Sequence, residues 1–123
     1  MYHRFEENKY PSTNIKIKDF MAHINEIRNA NLEFISFEEF DTSFDKNNTS
    51  RKVLLTVDDA FSSFYKNAWP ILKKEKIPFI IFINTETVGA RGYMNWEQIK
   101  TISKHDFVYI GNHSHSHDYL VDK

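Results

Sequence analysis

The chain has 123 residues, of which 41% are apolar and 11 are Phe, enough for one domain or a piece of one with a genuine core. With 16 basic against 17 acidic residues the net charge is −1, and no dense Lys/Arg stripe is present to match a phosphate backbone, which excludes nucleic acid as a partner. Cysteine is absent, so any metal must be held by nitrogen and oxygen donors.

In chain order, Met1 to Phe5 reads as a short strand and Glu6 to Pro11 as a polar loop. From Lys18 to Asn29 the residues Phe20, Ile24 and Ile27 recur at i, i+4 and i+7, which predicts an amphipathic helix closed by Asn29-Ala30-Asn31. Leu32 to Ser36 is a second strand, followed by a helical turn around Glu38 to Phe40 and a polar loop from Asp41 to Ser50. Val53 to Val57 is a β-branched strand. A helix over Ser62 to Lys74 then aligns Phe64, Ala68, Ile71 and Leu72, with Pro70 expected to kink it or mark its restart.

Pro78 to Ile83 is almost wholly apolar, as a parallel strand covered on both faces should be. Thr85 to Tyr93, with Gly89 and Gly92, reads as a loop. Asn95 and Gln98 are spaced as a capping box for a helix from Trp96 to about Lys104, and Phe107 to Gly111 is the last strand. The longest apolar run, residues 77–83, is far too short to span a bilayer, and the first residues show no export signal. Strand and helix patterns alternate over one domain, 1–123, which predicts β/α units around a parallel sheet.

Two stretches carry chemistry. The strand at Val53 to Val57 ends in Asp58 and Asp59, and two carboxylates at the end of a buried strand are costly without a purpose. The last strand leads into Asn112-His113-Ser114-His115-Ser116-His117. In parallel β/α folds the loops after the strands open on one face, so both stretches share a rim. His113 and His117 are four residues apart and fall on one face if the segment turns helically, while His115 points elsewhere. Adjacent aspartates at a strand end point to opposite faces unless the backbone turns, which allows one to ligate and the other to act as a base. Carboxylate oxygen with imidazole nitrogen suits zinc, or iron, cobalt and nickel.

Here the residues resemble a known family. Thr56-Val57-Asp58-Asp59-Ala60 is similar to the first motif of the polysaccharide deacetylases (the NodB-homology domain, carbohydrate esterase family four), usually Thr-Phe-Asp-Asp-Gly, and His113-Ser114-x-x-His117 matches the second. Tyr2-His3-Arg4 resembles the family's opening strand, and Gly92 to Ile99 the segment before the second motif. The resemblance implies the N-terminal portion of a deformed (β/α) barrel with a parallel sheet, the barrel being incomplete in this chain because closure takes roughly 200 residues. It implies Asp58 as general base, Asp59, His113 and His117 as ligands of a divalent metal ion, most naturally zinc, and removal of acetyl groups from an N-acetylated glycan. It also implies a cell-envelope, periplasmic or secreted setting.

Two departures follow. Ala60 stands for the usual Gly, and would be strained if the turn needs positive φ. The family's later motifs, with an Arg that orients the base, an Asp/Trp pair and a His that protonates the leaving amine, have no counterpart before Lys123. The expectation is therefore a truncated deacetylase segment that binds metal but turns over slowly or not at all, with an inactive metal-binding or structural remnant as the alternative. Its open sheet edge invites self-association. His3, His23 and His105 are expected to be structural or surface residues, with lining of the site as the alternative for His3, which sits at a strand end on the rim; Tyr93, Met94 and Trp96 are expected to pack beneath the rim, with stacking on sugar as their alternative. Ser62 and Ser63 lack a nucleophile-elbow context.

Overall fold

The computed structural model describes residues 1–43 and 51–115. In chain order its elements are β1 (Arg4–Phe5), β2 (Asn14–Ile15), α1 (Ile17–Asn29), β3 (Glu33–Phe34), α2 (Phe37–Ser43), β4 (Lys52–Val53), β5 (Leu55–Asp58), a π-helical turn (Phe64–Ala68), α3 (Trp69–Glu75), β6 (Phe79–Ile83), α4 (Trp96–Ser103) and β7 (Val108–Asn112). Every strand pairing is parallel, with β5-β6-β7 as the largest sheet, β1 beside β2, and β3 beside β4. The N-terminal strand joins the far side of β5 through Tyr2, whose N–H donates to the Thr56 carbonyl (2.9 Å) and whose carbonyl accepts from Asp58 N–H (2.8 Å).

β6 is the central strand, and all its residues except the half-buried Phe82 are buried, as its apolar run predicts. β7 is only half covered and is the outer strand of the three among the described residues. Gly111 in β7 lies under the Phe82 ring, where a Cβ would come within 2.5 Å of ring carbons. Only glycine lets that ring lie flat across the two strands.

The core against one face of the sheet is tied together by aromatic contacts. Phe20 of α1 meets Phe5 edge-on at 5.1 Å and Tyr2 at 5.0 Å, and Phe64 connects Phe5 (5.8 Å) to Phe79 (5.4 Å). The helix predicted over 62–74 is interrupted as Pro70 requires. The Trp69 N–H reaches back to the Phe64 carbonyl, five residues away, and α3 restarts with Pro70 in its first turn. Proline has no N–H to donate and its ring crowds the carbonyl four residues earlier, so a wider turn relieves the clash just before it. Asn31, at φ 59°, terminates α1 in the left-handed conformation that Asn tolerates. The capping box at α4 forms as expected, with Gln98 N–H on Asn95 Oδ1 (2.8 Å) and Asn95 N–H on Gln98 Oε1 (3.0 Å). Most of the loop expected over 41–50 lies outside the described residues, and its first three residues complete α2.

Candidate active site

The two carboxylates leave the end of β5 in different directions, and the chain turns at the second of them. Asp58 is still in the strand, while Asp59 and Ala60 take φ values of 73° and 53°. The left-handed turn is held from both sides. Asp59 N–H donates to the Phe82 carbonyl of β6 (2.9 Å), and the Ala60 carbonyl accepts from Met94 N–H (2.9 Å). Ala60 is buried, so the small side chain fits a tight space while its backbone occupies a region that costs an L-residue roughly 1 kcal/mol.

Asp58 faces the N-terminal strand. Its Oδ2 lies 3.5 Å from His3 Nε2, and its side chain is largely buried. Asp59 faces β7, with Oδ1 3.3 Å from His113 Nε2. A third side chain enters from β6, between those two strands: Asn84 Nδ2 donates to Asp59 Oδ1 at 2.8 Å, and Asn84 is 3% exposed.

The segment after β7 keeps the β6 pairing going beyond the regular strands. His113 N–H donates to the Ile83 carbonyl (2.8 Å), Thr85 N–H to the Ser114 carbonyl (3.3 Å) and Glu86 N–H to the His115 carbonyl (3.0 Å), while Thr85 Oγ1 and His115 Nδ1 are 2.8 Å apart. His115 engages Thr85 rather than Asp59, and the left-handed Ser114 (φ 64°) between it and His113 breaks the strand alternation that would put both side chains on one face. His117, the remaining expected ligand, lies outside the described residues.

Two expectations are corrected. His3, read from sequence as structural or surface with lining of the site only as the alternative, stands against Asp58, because the N-terminal strand pairs with β5 and brings residue 3 level with the strand end. Trp96, expected beneath the rim, is 54% exposed, since the first helical position after the Asn95 cap turns outward. Met94 is fully buried and Tyr93 stacks on Phe61 at 4.9 Å, as packing residues would. His105 packs edge-on against Trp69 (5.0 Å) and His23 Nδ1 lies 2.8 Å from the Tyr2 hydroxyl, both structural roles. Asn84 does not stand out in the sequence because it is a lone amide just past the apolar run of β6. The polar residue immediately following a buried run was the available signal, the same one that singles out Asp58 and Asp59.

A groove of about 790 Å³ beside β1 and α3 is lined by Glu7, Ser63, Tyr65 and Trp69, and none of Asp58, Asp59, His3 and His113 borders it. It is separate from the chemistry.

Among the described residues no three His, Cys, Asp or Glu side chains converge as a complete ion cage. The pair that does converge fits two positions of one. Two ligands at zinc bond lengths near 2.1 Å in tetrahedral arrangement stand about 3.4 Å apart, against 3.3 Å between Asp59 Oδ1 and His113 Nε2. The donor set, hard oxygen with imidazole nitrogen, is also one that zinc accepts.

A sequence profile described as polysaccharide deacetylase matches residues 45–123. Among relatives, the Bacillus subtilis protein YxkH, named for the same family, is 28% identical over 122 residues, which is 98% of this chain and 42% of that protein. A Staphylococcus aureus poly-β-1,6-N-acetyl-D-glucosamine N-deacetylase is 35% identical over 81 residues, 65% of this chain and 28% of the relative. Among solved structures, IcaB from Ammonifex degensii superposes with a TM-score of 0.82 at 30% identity, covering 91% of this chain and 50% of that one. A polysaccharide deacetylase from Bacillus cereus superposes at 0.83 over 100% of this chain and 40% of its own, and at 18% identity shows the shared fold alone. The chain therefore spans less than half the length of the curated relatives described here. With that profile matched over well over half of its length, the chain belongs to the polysaccharide deacetylase family.

Proposed function

We propose that this segment supplies the water-activating side of a metal-dependent N-deacetylase acting on an N-acetylated polysaccharide of the cell envelope, with poly-N-acetylglucosamine as the substrate class. The observation that carries the reading is the divergence of Asp58 and Asp59, one toward His3 and the other toward His113. The S. aureus relative, named for deacetylating a β-1,6-linked N-acetylglucosamine polymer, supports the substrate class.

In this reading Asp59 and His113, joined by His117, hold a divalent ion, zinc before iron, cobalt or nickel. A bound ion of this kind polarises an acetyl carbonyl and makes water a better nucleophile near neutral pH. Asp58 stays outside the ligand set and takes the proton from the attacking water. The C–N bond of the acetamide then breaks, releasing acetate and leaving a free amine on the sugar. That amine needs a proton as it departs, and in this reading His3, which faces Asp58 from the neighbouring strand, relays it in place of the histidine of the family's later motifs. Because the family's later motifs have no counterpart in these 123 residues, turnover by this chain alone is slow or absent. The outer edge of β7 is the surface through which copies would self-associate.

Calorimetric titration with zinc tests the site. One ion binds the unaltered chain, binding is lost in Asp59→Ala, His113→Ala and His117→Ala, and it survives in Asp58→Asn. Failure of the unaltered chain to bind zinc sinks the metal reading. Rapid release of acetate from N-acetylglucosamine oligomers by the 123-residue chain would instead refute its impairment.

A further inference from the structure

We infer that Asn84 is a positioning residue for Asp59, fixing its carboxylate for metal binding; the inference rests on the metal reading above. Three observations meet at this side chain. It comes from the central strand, at the position that follows the last residue of β6, and so enters between the ends of β5 and β7 that carry the two proposed ligands. Its Nδ2 donates to Asp59 Oδ1 at 2.8 Å, the same oxygen that faces His113 Nε2. Its own Oδ1 is buried and has no hydrogen-bond partner among the described residues.

The last point decides between two roles. A buried amide kept for core stability satisfies both its ends, since an unmet polar atom in the interior is a net cost. Asn84 leaves one end unmet and spends the other on a carboxylate that already has a demanding backbone conformation. The amide orientation is also determined: turned over, its oxygen would face the Asp59 oxygen, acceptor against acceptor. Nor is the side chain needed to form the turn that follows. The Asn84 carbonyl, a backbone group, accepts from Thr87 N–H (3.1 Å) and Thr87 Oγ1 (3.0 Å), and it does so whatever side chain residue 84 carries.

Groups that hold a ligating carboxylate in place typically contribute 10- to 100-fold to metal affinity. The test is Asn84→Leu, which keeps the branched shape, removes the amide donor and also removes the unmet buried oxygen. Positioning predicts an unchanged or higher melting temperature with zinc affinity weakened about 10- to 100-fold, and no further weakening when the change is added to Asp59→Asn. A core role predicts a lower melting temperature with zinc affinity of the folded chain unchanged, and that result overturns the inference while leaving the metal reading intact. An equal loss of affinity in the Asp59→Asn background also overturns it, because the effect would not pass through Asp59. Should Asn84→Leu fail to fold, Asn84→Ala is read the same way, with affinity measured on the folded fraction. If the unaltered chain binds no zinc, the metal reading fails first and this inference goes with it.

Discussion

His3 and Asp58 lie 3.5 Å apart, imidazole Nε2 to carboxylate Oδ2, across the junction between the N-terminal strand and β5. The backbone secures this meeting, since Tyr2 exchanges hydrogen bonds with Thr56 and Asp58 on the adjoining residues. His3 and His113 thus flank the Asp58-Asp59 pair from opposite sides, and each imidazole answers to one carboxylate.

Separate partners make the two histidines experimentally separable. In Asp58→Asn the ring nitrogen resonances of His3 shift while those of His113 remain in place, as read by NMR. His3→Ala leaves zinc affinity within about twofold, yet it lowers acetate release, residual here or faster in a longer chain bearing this segment, by about 100-fold, the low end for loss of an acid–base group. A His3→Ala chain that loses zinc would put His3 in the ligand set and overturn the division of labour.

Ala60 offers a stability test of the turn itself. At φ 53° it occupies a conformation that glycine adopts without strain, at the one position where the sequence departs from the family's usual Gly. Relief of the strain, roughly 1 kcal/mol, is partly offset by the added freedom of the unfolded chain and by the loss of a buried methyl. The net expectation for Ala60→Gly is a gain of about 0.5 kcal/mol, measured by denaturant unfolding. A loss of stability would show that the methyl contact outweighs the backbone.

Tyr2 gives the fold an alkaline weakness. Burial pushes its phenol above the ordinary value of 10.0. A group whose folded value is raised contributes stability that is fully present below the unfolded value and lost as pH rises through the folded one. Relative to Tyr2→Phe, the unaltered chain should therefore lose melting temperature as the pH rises above about 10, and parallel curves for the two proteins would refute the assignment.

Much of this arrangement was legible beforehand, and the limits are instructive. Local signals sufficed for the helices: the Phe20, Ile24, Ile27 stripe, the Asn95 to Gln98 box and the break at Pro70 all depend on neighbours within one or two turns. The divergence of Asp58 from Asp59 followed from strand geometry plus a turn. His3 could be placed only as far as the rim and Asn84 not at all, because their contacts depend on which strands lie side by side. Nothing in the residues around His3 reveals that its strand pairs with β5, and nothing around Asn84 reveals that β6 runs between the two strands carrying Asp59 and His113. Lateral order in a parallel sheet is a property of the whole chain, reached only through long crossovers.

The pairing that persists beyond β6 and β7, through Thr85, Glu86, Ser114 and His115, joins the fate of an outer strand to that of the site. An ion gripped by His113 would act as a clasp on the sheet's margin, and fraying of that margin would in turn open the clasp. Occupancy and edge order then form a single equilibrium, so zinc should slow amide exchange at Thr85, Glu86 and His113 together, well before it changes exchange in the helices.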